Sequence, residues 1–449
     1  MRIRQYTTDQ SHTLWEIPAG PAPTLLPGAV TLEIGLSPLP HPVNGFGAAV
    51  TASSCCNLSL MTQDERAKLL SDLYGPEGLN MNAARLTIGS SDYSPEAYTY
   101  ADTPDDPGMV YFSMARDEKY VLPVQKEIVS FRSDLFLFAS PWSPPAWMKT
   151  GGRIAGGCMR DKYLDAYVRY FIKYLTAMRE RGISIHAVSP QNEPETDTRG
   201  HYPGCFWHPE TEAAFIHRLR AALDKAGLDT RIWMYDHNYD GWQRVKWMLE
   251  EDPDLLDDID AVAFHYYSEC PEMTDALTDE WPDLKLAFTE GGPRINDNYG
   301  TDHCKWARIM ARAFRHGCRT FIGWNLILDE TGGPTIGPFF CGGLVTRDSL
   351  TGEITRSGQY RAMSHFSRFV RRGDQVLPVR TVNDGLRFFA YPDTGAPLDA
   401  CAFRGPDGHK VIVLVNPSPK ERKQVQIMTD GQPVLVNLLP DSVSTVVIG

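Results

Sequence analysis

The chain lacks most of the features that would place it in a class at a glance. No apolar run approaches the length of a membrane-spanning helix, so no stable membrane insertion is expected. The N-terminal stretch MRIRQYTTDQSHTLWEI is basic but has no apolar core of the secretory kind, and the chain is expected to be cytoplasmic. Lys and Arg are dispersed, 44 against 56 Asp and Glu, for a net charge of −12. That balance disfavours nucleic acid and anionic membrane surfaces as partners. The nine cysteines form no CxxC pair and no HxH or HExxH occurs, so no zinc framework is visible. Adjacent Cys55 and Cys56 are poorly placed to bridge, and reduced thiols are the expectation. Low-complexity tracts and long internal repeats are absent as well. Asn44-Gly-Phe-Gly-Ala-Ala49 lacks the GxGxxG spacing of a dinucleotide loop.

What is present is an ordinary globular composition, 42% hydrophobic over 449 residues, with a regular alternation inside it. Strand-like segments are predicted at Val43–Thr51, Ala84–Ser91, Leu135–Pro141, His186–Gln191, Arg231–Asp236, Ala261–His265, Lys285–Thr289 and Thr320–Trp324. Helices are predicted between them, at Thr62–Leu73, Thr211–Ala226, Cys304–His316 and most clearly Lys162–Glu180. There the apolar residues follow the i, i+3, i+4, i+7 spacing, and Gly182 stands where the helix would stop. Eight strands alternating with helices imply parallel pairing, and eight is the number that closes a (β/α)8 TIM barrel. An open doubly wound sheet is the alternative.

The ends of the chain read as all-β. Short alternating strands are predicted at Leu386–Tyr391, Lys410–Val415 and Val443–Ile448, with turns at Asp393-Thr-Gly395 and Pro406-Asp-Gly408. Others are predicted around Arg2–Tyr6 and Val30–Leu36. The expected division is an α/β barrel over residues 41–372, with residues 1–40 and 373–449 forming one β-domain beside it.

Two phrases carry the chemistry. Val188-Ser-Pro-Gln-Asn-Glu-Pro194 and Leu286-Ala-Phe-Thr-Glu-Gly-Gly292 are apolar runs that each end in one carboxylate, Glu193 and Glu290. A carboxylate at the end of a buried strand is costly unless something holds it. Two of them facing one pocket are what glycosidic-bond cleavage requires. Barrel enzymes place their chemistry at the C-terminal ends of the strands. Reading those ends in order gives Arg85 and Asp92, Trp142, Asn192 and Glu193, Asp236 and His237, then His265, Tyr266 and Tyr267, Glu290, and Trp324 and Asn325. Aromatic faces suit the C–H face of a sugar, while Asp, Asn and His suit its hydroxyls. Each residue also has a plainer reading. Trp142 and Trp324 fit a core, His265 a hydrogen-bonding support, and Glu195 and Asp197 a solvated loop.

Several phrases together resemble glycoside hydrolase family 30, the family of the glucosylceramidases, over nearly the whole chain. They are Ser91-Asp-Tyr-Ser94, Tyr98-Thr-Tyr-Ala-Asp-Thr-Pro-Asp-Asp106, Ala139-Ser-Pro-Trp-Ser-Pro-Pro-Ala-Trp-Met-Lys-Thr150, Gln191-Asn-Glu-Pro194, His265-Tyr-Tyr267, Phe288-Thr-Glu290 and Gly323-Trp-Asn-Leu326. Asn-Glu-Pro occurs in many retaining barrel hydrolases; the Tyr98–Asp106 string is far more specific. The resemblance implies a (β/α)8 barrel with a β-sandwich side domain built from both chain ends. It implies hydrolysis by double displacement without metal or cofactor, with Glu193 as acid/base and Glu290 as nucleophile. It puts Asp92, Trp142, Asn192, Tyr267 and Trp324 around the sugar, and Arg85 and His265 in support. Tyr93 stands where the lysosomal glucosylceramidase has phenylalanine, Tyr266 stands where it has tryptophan, and Asp329–Gly343 reads differently.

The resulting expectation is a retaining β-glycosidase acting on a small-molecule or oligosaccharide β-glucoside, glucosylceramidase-like. A β-xylosidase or β-1,6-glucanase of the same family is the nearest alternative. A non-catalytic carbohydrate-binding protein and a Schiff-base aldolase, with Lys149 as its lysine, are alternatives of other classes.

Overall fold

The computed structural model describes residues 2–21, 29–198, 200–268, 270–382, 397–429 and 433–449. The alternation expected from the sequence is there in full. Eight parallel strands, Gly45–Val50, Ala83–Thr87, Phe136–Ser140, Ala187–Val188, Arg231–Asn238, Ala261–His265, Leu286–Glu290 and Cys318–Gly323, close into a barrel in chain order. The first pairs with the eighth, Thr320 opposite Gly45 and Gly323 opposite Ala48. Each of the eight predicted segments contains or overlaps one of these strands.

The barrel interior is filled rather than open. Ala83, Phe136, Phe138, Ala187, Trp233, Ala261, Ala263, Ala287 and Ile322 pack together there. Phe138 stacks on Trp233 with ring centroids 4.9 Å apart, so the alanines offset two large rings. Gly47 belongs to the same tight wall: a Cβ on it would sit 1.8 Å from the Ala83 carbonyl oxygen, so the first two strands approach only if that residue is glycine.

The helices follow their apolar faces onto this wall. The helix predicted over Lys162–Glu180 runs Leu164–Glu180 and buries Tyr167, Tyr170, Phe171, Tyr174, Leu175 and Met178. Gly182 beyond it has φ +80°, a left-handed turn that glycine adopts without a Cβ penalty. Helix Gln63–Tyr74 opens with a capping box in which Thr62 and Glu65 satisfy each other's backbone N–H.

Both chain ends build the β-sandwich. One sheet runs Gln375–Leu377, Asp399–Arg404, Lys410–Asn416, Ser442–Ile448, Ile3–Thr8 and Trp15–Ile17, with the first and last long strands antiparallel across the termini. The other runs Val379–Val382, Val30–Ile34, Lys423–Met428, Val434–Leu438 and Gly20–Pro21. Leu32, Ile412, Leu414, Val425, Val436 and Val446 fill the space between them. The predicted strand Leu386–Tyr391 and the turn Asp393-Thr-Gly395 lie outside the described residues. A three-stranded sheet of Ile327–Asp329, Val345–Arg347 and Ile354–Arg356 follows the eighth barrel strand and was not expected. Among the described residues no helix is long and apolar enough to cross a membrane.

Candidate active site

A cavity of about 590 Å³ opens at the C-terminal end of the barrel. Its floor is organised by two fully buried, opposite charges. Arg85 on the second strand extends its Nη2 to Asp236 Oδ2 at 2.8 Å, while its Nη1 donates to Glu290 Oε2 at 2.8 Å. Nη2 also donates to Asn192 Oδ1 at 2.7 Å. Asp236 answers with a full coordination shell: Ser140 Oγ at 2.8 Å, Ser189 Oγ at 2.7 Å, Thr289 Oγ1 at 2.7 Å and His265 Nε2 at 3.0 Å. Burial pushes Asp236 up, but the Arg85 charge and the His265 and Thr289 hydrogen bonds outweigh it and hold the carboxyl far below the usual range.

The strands reach this arrangement through irregular register. Opposite the sixth strand, Ala263 pairs with Tyr235 and Phe264 with His237, so Asp236 is an extra, bulged residue. On the other side Phe264 pairs with Phe288 and His265 with Glu290, which leaves out Thr289. The two residues left out of the ladders bond each other. Bulges re-aim side chains beside active sites, and these turn Asp236 and Thr289 inward together. Glu193, Tyr235, Asp236 and Asn325 all have left-handed φ, between +51° and +74°, the middle two at the bulge inside the fifth strand and the others in loops beyond strands, at a cost of about 1–3 kcal/mol each.

Glu193 and Glu290 face each other over this floor. Glu193 Oε1 lies 3.1 Å from His265 Nδ1, and its Oε2 accepts from Thr196 Oγ1 at 3.2 Å. Glu290 Oε1 accepts from the Tyr267 hydroxyl at 2.9 Å. One oxygen of each glutamate and a ring nitrogen of His265 lie within 4.8 Å of one another. All three groups already have protein partners, so the cluster is a hydrogen-bonded acid pair. A second trio, His303, Cys304 and Asp441, stands apart from the pocket, with His303 Nε2 on the Asp441 carbonyl at 3.1 Å.

Trp142 and Trp324 stack at 5.1 Å, and the Arg85 guanidinium carbon sits 4.9 Å from the Trp142 ring centroid. Both tryptophans are buried but line the cavity, so they serve as core and as pocket wall at once. Asp92 also lines it, and its buried Oδ1 has no hydrogen-bond partner among the described residues. Such an acceptor is costly until a ligand donor meets it. Asn192 spends its carbonyl on Arg85, which leaves the amide nitrogen for the pocket. All nine expected site residues, Arg85, Asp92, Trp142, Asn192, Glu193, His265, Tyr267, Glu290 and Trp324, come together here.

Charges in the pocket are unevenly shared. Burial raises Glu193, but His237, His265 and the Thr196 hydroxyl outweigh it and hold the carboxyl down, at about 2. Burial raises Glu290, with Glu193 and Asp236 adding to it against the pull of His265 and Arg85. His265 is lowered by burial yet raised overall to about 9 by Glu290, Asp236 and Glu193. Burial, then Glu290 and Glu193, push Asp92 well above the carboxylate range. The acid pair and its imidazole therefore titrate together.

Some expectations change. Glu195 is not a free loop carboxylate: the Tyr235 hydroxyl donates to it at 3.2 Å, and His237 Nδ1 lies 3.9 Å away. Lys149 does not face the cavity. Its buried ammonium donates to the carbonyls of Ile154, Gly156 and Gly204 at 2.6, 2.9 and 2.9 Å, joining two loops, and burial lowers it to about 8. The specific Tyr98–Asp106 string is structural too, since Tyr98 and Tyr100 both donate to buried Asp117. Asp236 was read as a strand end and given no role, and its partners Ser140, Ser189 and Thr289 were missed. Three hydroxyls closing otherwise apolar strands are the signal that was there. The mouth residues Tyr202, Phe339 and Phe340 gave no periodic signal, because they lie on loops.

Comparison with known proteins agrees with the fold. Residues 43–370 match the glycosyl hydrolase family 30 TIM-barrel domain, and residues 390–446 match the beta sandwich domain of that family. The chain is 26% identical over 436 residues to putative glucosylceramidase 4 of Caenorhabditis elegans, covering 91% of this chain and 81% of that one. It is 30% identical over 394 residues to the endo-1,6-beta-D-glucanase BGN16.3 of Trichoderma harzianum, covering 83% and 77%. The structure of SrfJ from Salmonella typhimurium superimposes with a TM-score of 0.89 at 26% identity, over 100% of this chain and 99% of that one. With a barrel matched over its whole length and two glutamates paired at its mouth, the chain belongs to glycoside hydrolase family 30.

Proposed function

We propose that the protein is a retaining β-glucosidase working by double displacement, with Glu290 as nucleophile and Glu193 as acid/base. The observation that carries this reading is the glutamate pair itself, with one oxygen of each within 4.8 Å. Retaining enzymes hold their carboxyls roughly 5–5.5 Å apart; inverting ones leave roughly 6.5–9.5 Å for a water molecule. The roles follow from which charges are permanent. Arg85 never loses its proton, and its 2.8 Å bond pulls Glu290 toward the anion, against the burial and neighbouring carboxylates that raise it. The groups beside Glu193 are imidazoles, His265 raised by its carboxylate neighbours and His237 lowered by burial, and an imidazole can give up its charge, so Glu193 is the one able to gain and lose a proton.

In the first step Glu290 attacks the anomeric carbon while Glu193 delivers a proton to the departing oxygen. In the second, Glu193 takes a proton from water, which displaces Glu290 from the sugar. Asp92 accepts a sugar hydroxyl, Asn192 donates to one beside the reacting carbon, and the tryptophan pair receives the C–H face.

A β-1,6-linked glucan chain is the second reading, favoured by the mouth. Tyr202 and Phe339 meet edge to face at 5.3 Å, with Phe340 exposed beside them, while Asn238, Asn296, Asp297 and Lys305 line the same cavity. Aromatic faces with polar edges fit a second sugar as leaving group.

The test is inactivation by an activated 2-deoxy-2-fluoro-β-glucoside, followed by peptide mapping. The label is expected on Glu290, and a label on any other carboxylate would overturn the assignment.

A further inference from the structure

The first step needs a protonated Glu193, yet its neighbours hold Glu193 ionised. The second step returns a proton to Glu193, but neighbours that favour its ionised form draw that proton off, so it has to be resupplied before the next turnover. Beside Glu193, on the cavity wall, stand two polar groups hydrogen-bonded in series that the reaction does not otherwise use, with a third beyond them. Thr196 Oγ1 donates to Glu193 Oε2 at 3.2 Å. The same hydroxyl lies 3.0 Å from His237 Nε2. His237 is nine-tenths buried, and its Nδ1 has no hydrogen-bond partner among the described residues. That nitrogen lies 3.9 Å from Glu195 Oε2, whose side chain is 35% exposed to solvent.

Glu195 is held in this position. Tyr235 donates to it at 3.2 Å, and Arg244 stands 3.9 Å away, itself anchored to buried Glu212 at 2.7 Å. Gly241 leaves the room: a Cβ there would lie 1.7 Å from the Tyr235 hydroxyl and 2.7 Å from Glu195. The charged and titratable groups around His237 are Glu193 and Glu195 on the loop after the fourth strand, His265 on the sixth strand, and Asp240 on the turn that follows His237.

We propose that Thr196 and His237 form a proton relay that connects Glu193 to solvent at Glu195. With Glu193 ionised, His237 Nε2–H donates to Thr196 and Thr196 donates to Glu193. A proton from the solvent beside Glu195 adds to the vacant Nδ1. At the same time the Nε2 proton passes to Thr196 Oγ1, and the Thr196 hydroxyl proton passes to Glu193 Oε2. The N–H and O–H bonds broken equal those formed: His237 changes tautomer, Thr196 is unchanged, and Glu193 gains one proton for the leaving group. Both residues line the cavity wall, and in the relay they act through Glu193. Hydroxyl and imidazole groups suit the task, because each accepts a proton on one side while releasing one on the other.

The relay matters only where the leaving group needs protonation, and it rests on the acid role given to Glu193. The test compares kcat/KM on dinitrophenyl and methyl β-glucosides, with poor leaving-group activity also followed against pH. Thr196→Val and His237→Phe are each expected to lose at least tenfold more on the methyl than on the dinitrophenyl glucoside. Thr196→Ser, which keeps the hydroxyl, is expected to restore the wild-type ratio. Glu193→Gln, measured alongside, must show the same imbalance more strongly. If it does not, the acid role itself fails. If it does, and Thr196→Val loses equally on both substrates or Thr196→Ser does not rescue, the relay fails alone.

Discussion

Arg85 and Asp236 form an ion pair at 2.8 Å with neither side chain exposed to solvent, and both glutamates are oriented from it. Arg85 reaches Glu290 directly, and Asp236 reaches Glu193 through His265. A buried pair of this kind is weak support for stability but strong support for geometry, because removing one partner strands the other charge. Asp236→Ala is expected to destabilise the fold by about 3–5 kcal/mol, read from urea unfolding. Asp236→Asn keeps the volume and is expected to lower kcat by about 10²-fold, because Arg85 and His265 lose their common anchor. Unchanged kcat in a folded Asp236→Asn protein would count against the hub.

The Tyr93 hydroxyl ties the pocket mouth to the floor. It accepts from the Cys341 backbone N–H at 3.0 Å and donates to the Phe339 carbonyl at 3.4 Å, while its ring meets Trp324 edge-on at 5.9 Å. Tyr93→Phe removes only the oxygen and leaves two backbone groups to find other partners. A loss of about 1 kcal/mol in holding the mouth corresponds to roughly a fivefold rise in KM for substrates with bulky leaving groups. The comparison substrate is a β-glucosyl fluoride, whose leaving group is too small to reach Phe339.

Stability is expected to fall on the acid side through His365. This residue, on helix Gly358–Ser367, is fully buried between Thr445 Oγ1 at 2.9 Å and Thr8 Oγ1 at 2.7 Å, and so joins the barrel to both terminal strands. Thr445 donates to the His365 carbonyl and Leu14 N–H donates to Thr8, which fits a neutral ring with its proton on Nδ1. Burial, with His303 and Arg361 adding, pushes its folded value well below 6.5. The unfolded chain therefore binds this proton first as pH drops. The contribution is complete above 6.5 and is lost as pH falls toward the folded value. Thermal unfolding from pH 7.5 to 4.5 should show a smaller acid-side drop in His365→Gln than in the wild type. Parallel curves would remove His365 as the cause.

The barrel was legible because its signal is local. Short apolar strands and a helix face such as Tyr167-Tyr170-Phe171-Tyr174 repeat at periods that the sequence displays directly. Glu193 and Glu290 stood out for the same reason, each a single charge closing an apolar run. Lys149 and Glu195 did not betray their settings: a buried ammonium bonded to three carbonyls and a carboxylate seated by Tyr235 look in sequence like any loop charges. Asp236 was visible as a strand end, but its importance comes from Ser140 and Thr289 on two other strands and Ser189 just past a third.

The sequence by itself determined the alternation of strands and helices, the β-strands of both ends, and the two carboxylates, since each depends on neighbours a few positions away. Only the tertiary structure decided how those carboxylates are held. Closing the barrel brings Arg85, Asp236, His265 and both glutamates to one mouth, and two bulges turn Asp236 and Thr289 toward each other. Charge and hydrogen bonding act through space at about 3 Å. Which residues meet at that distance is settled by register and closure, and no spacing along the chain encodes it.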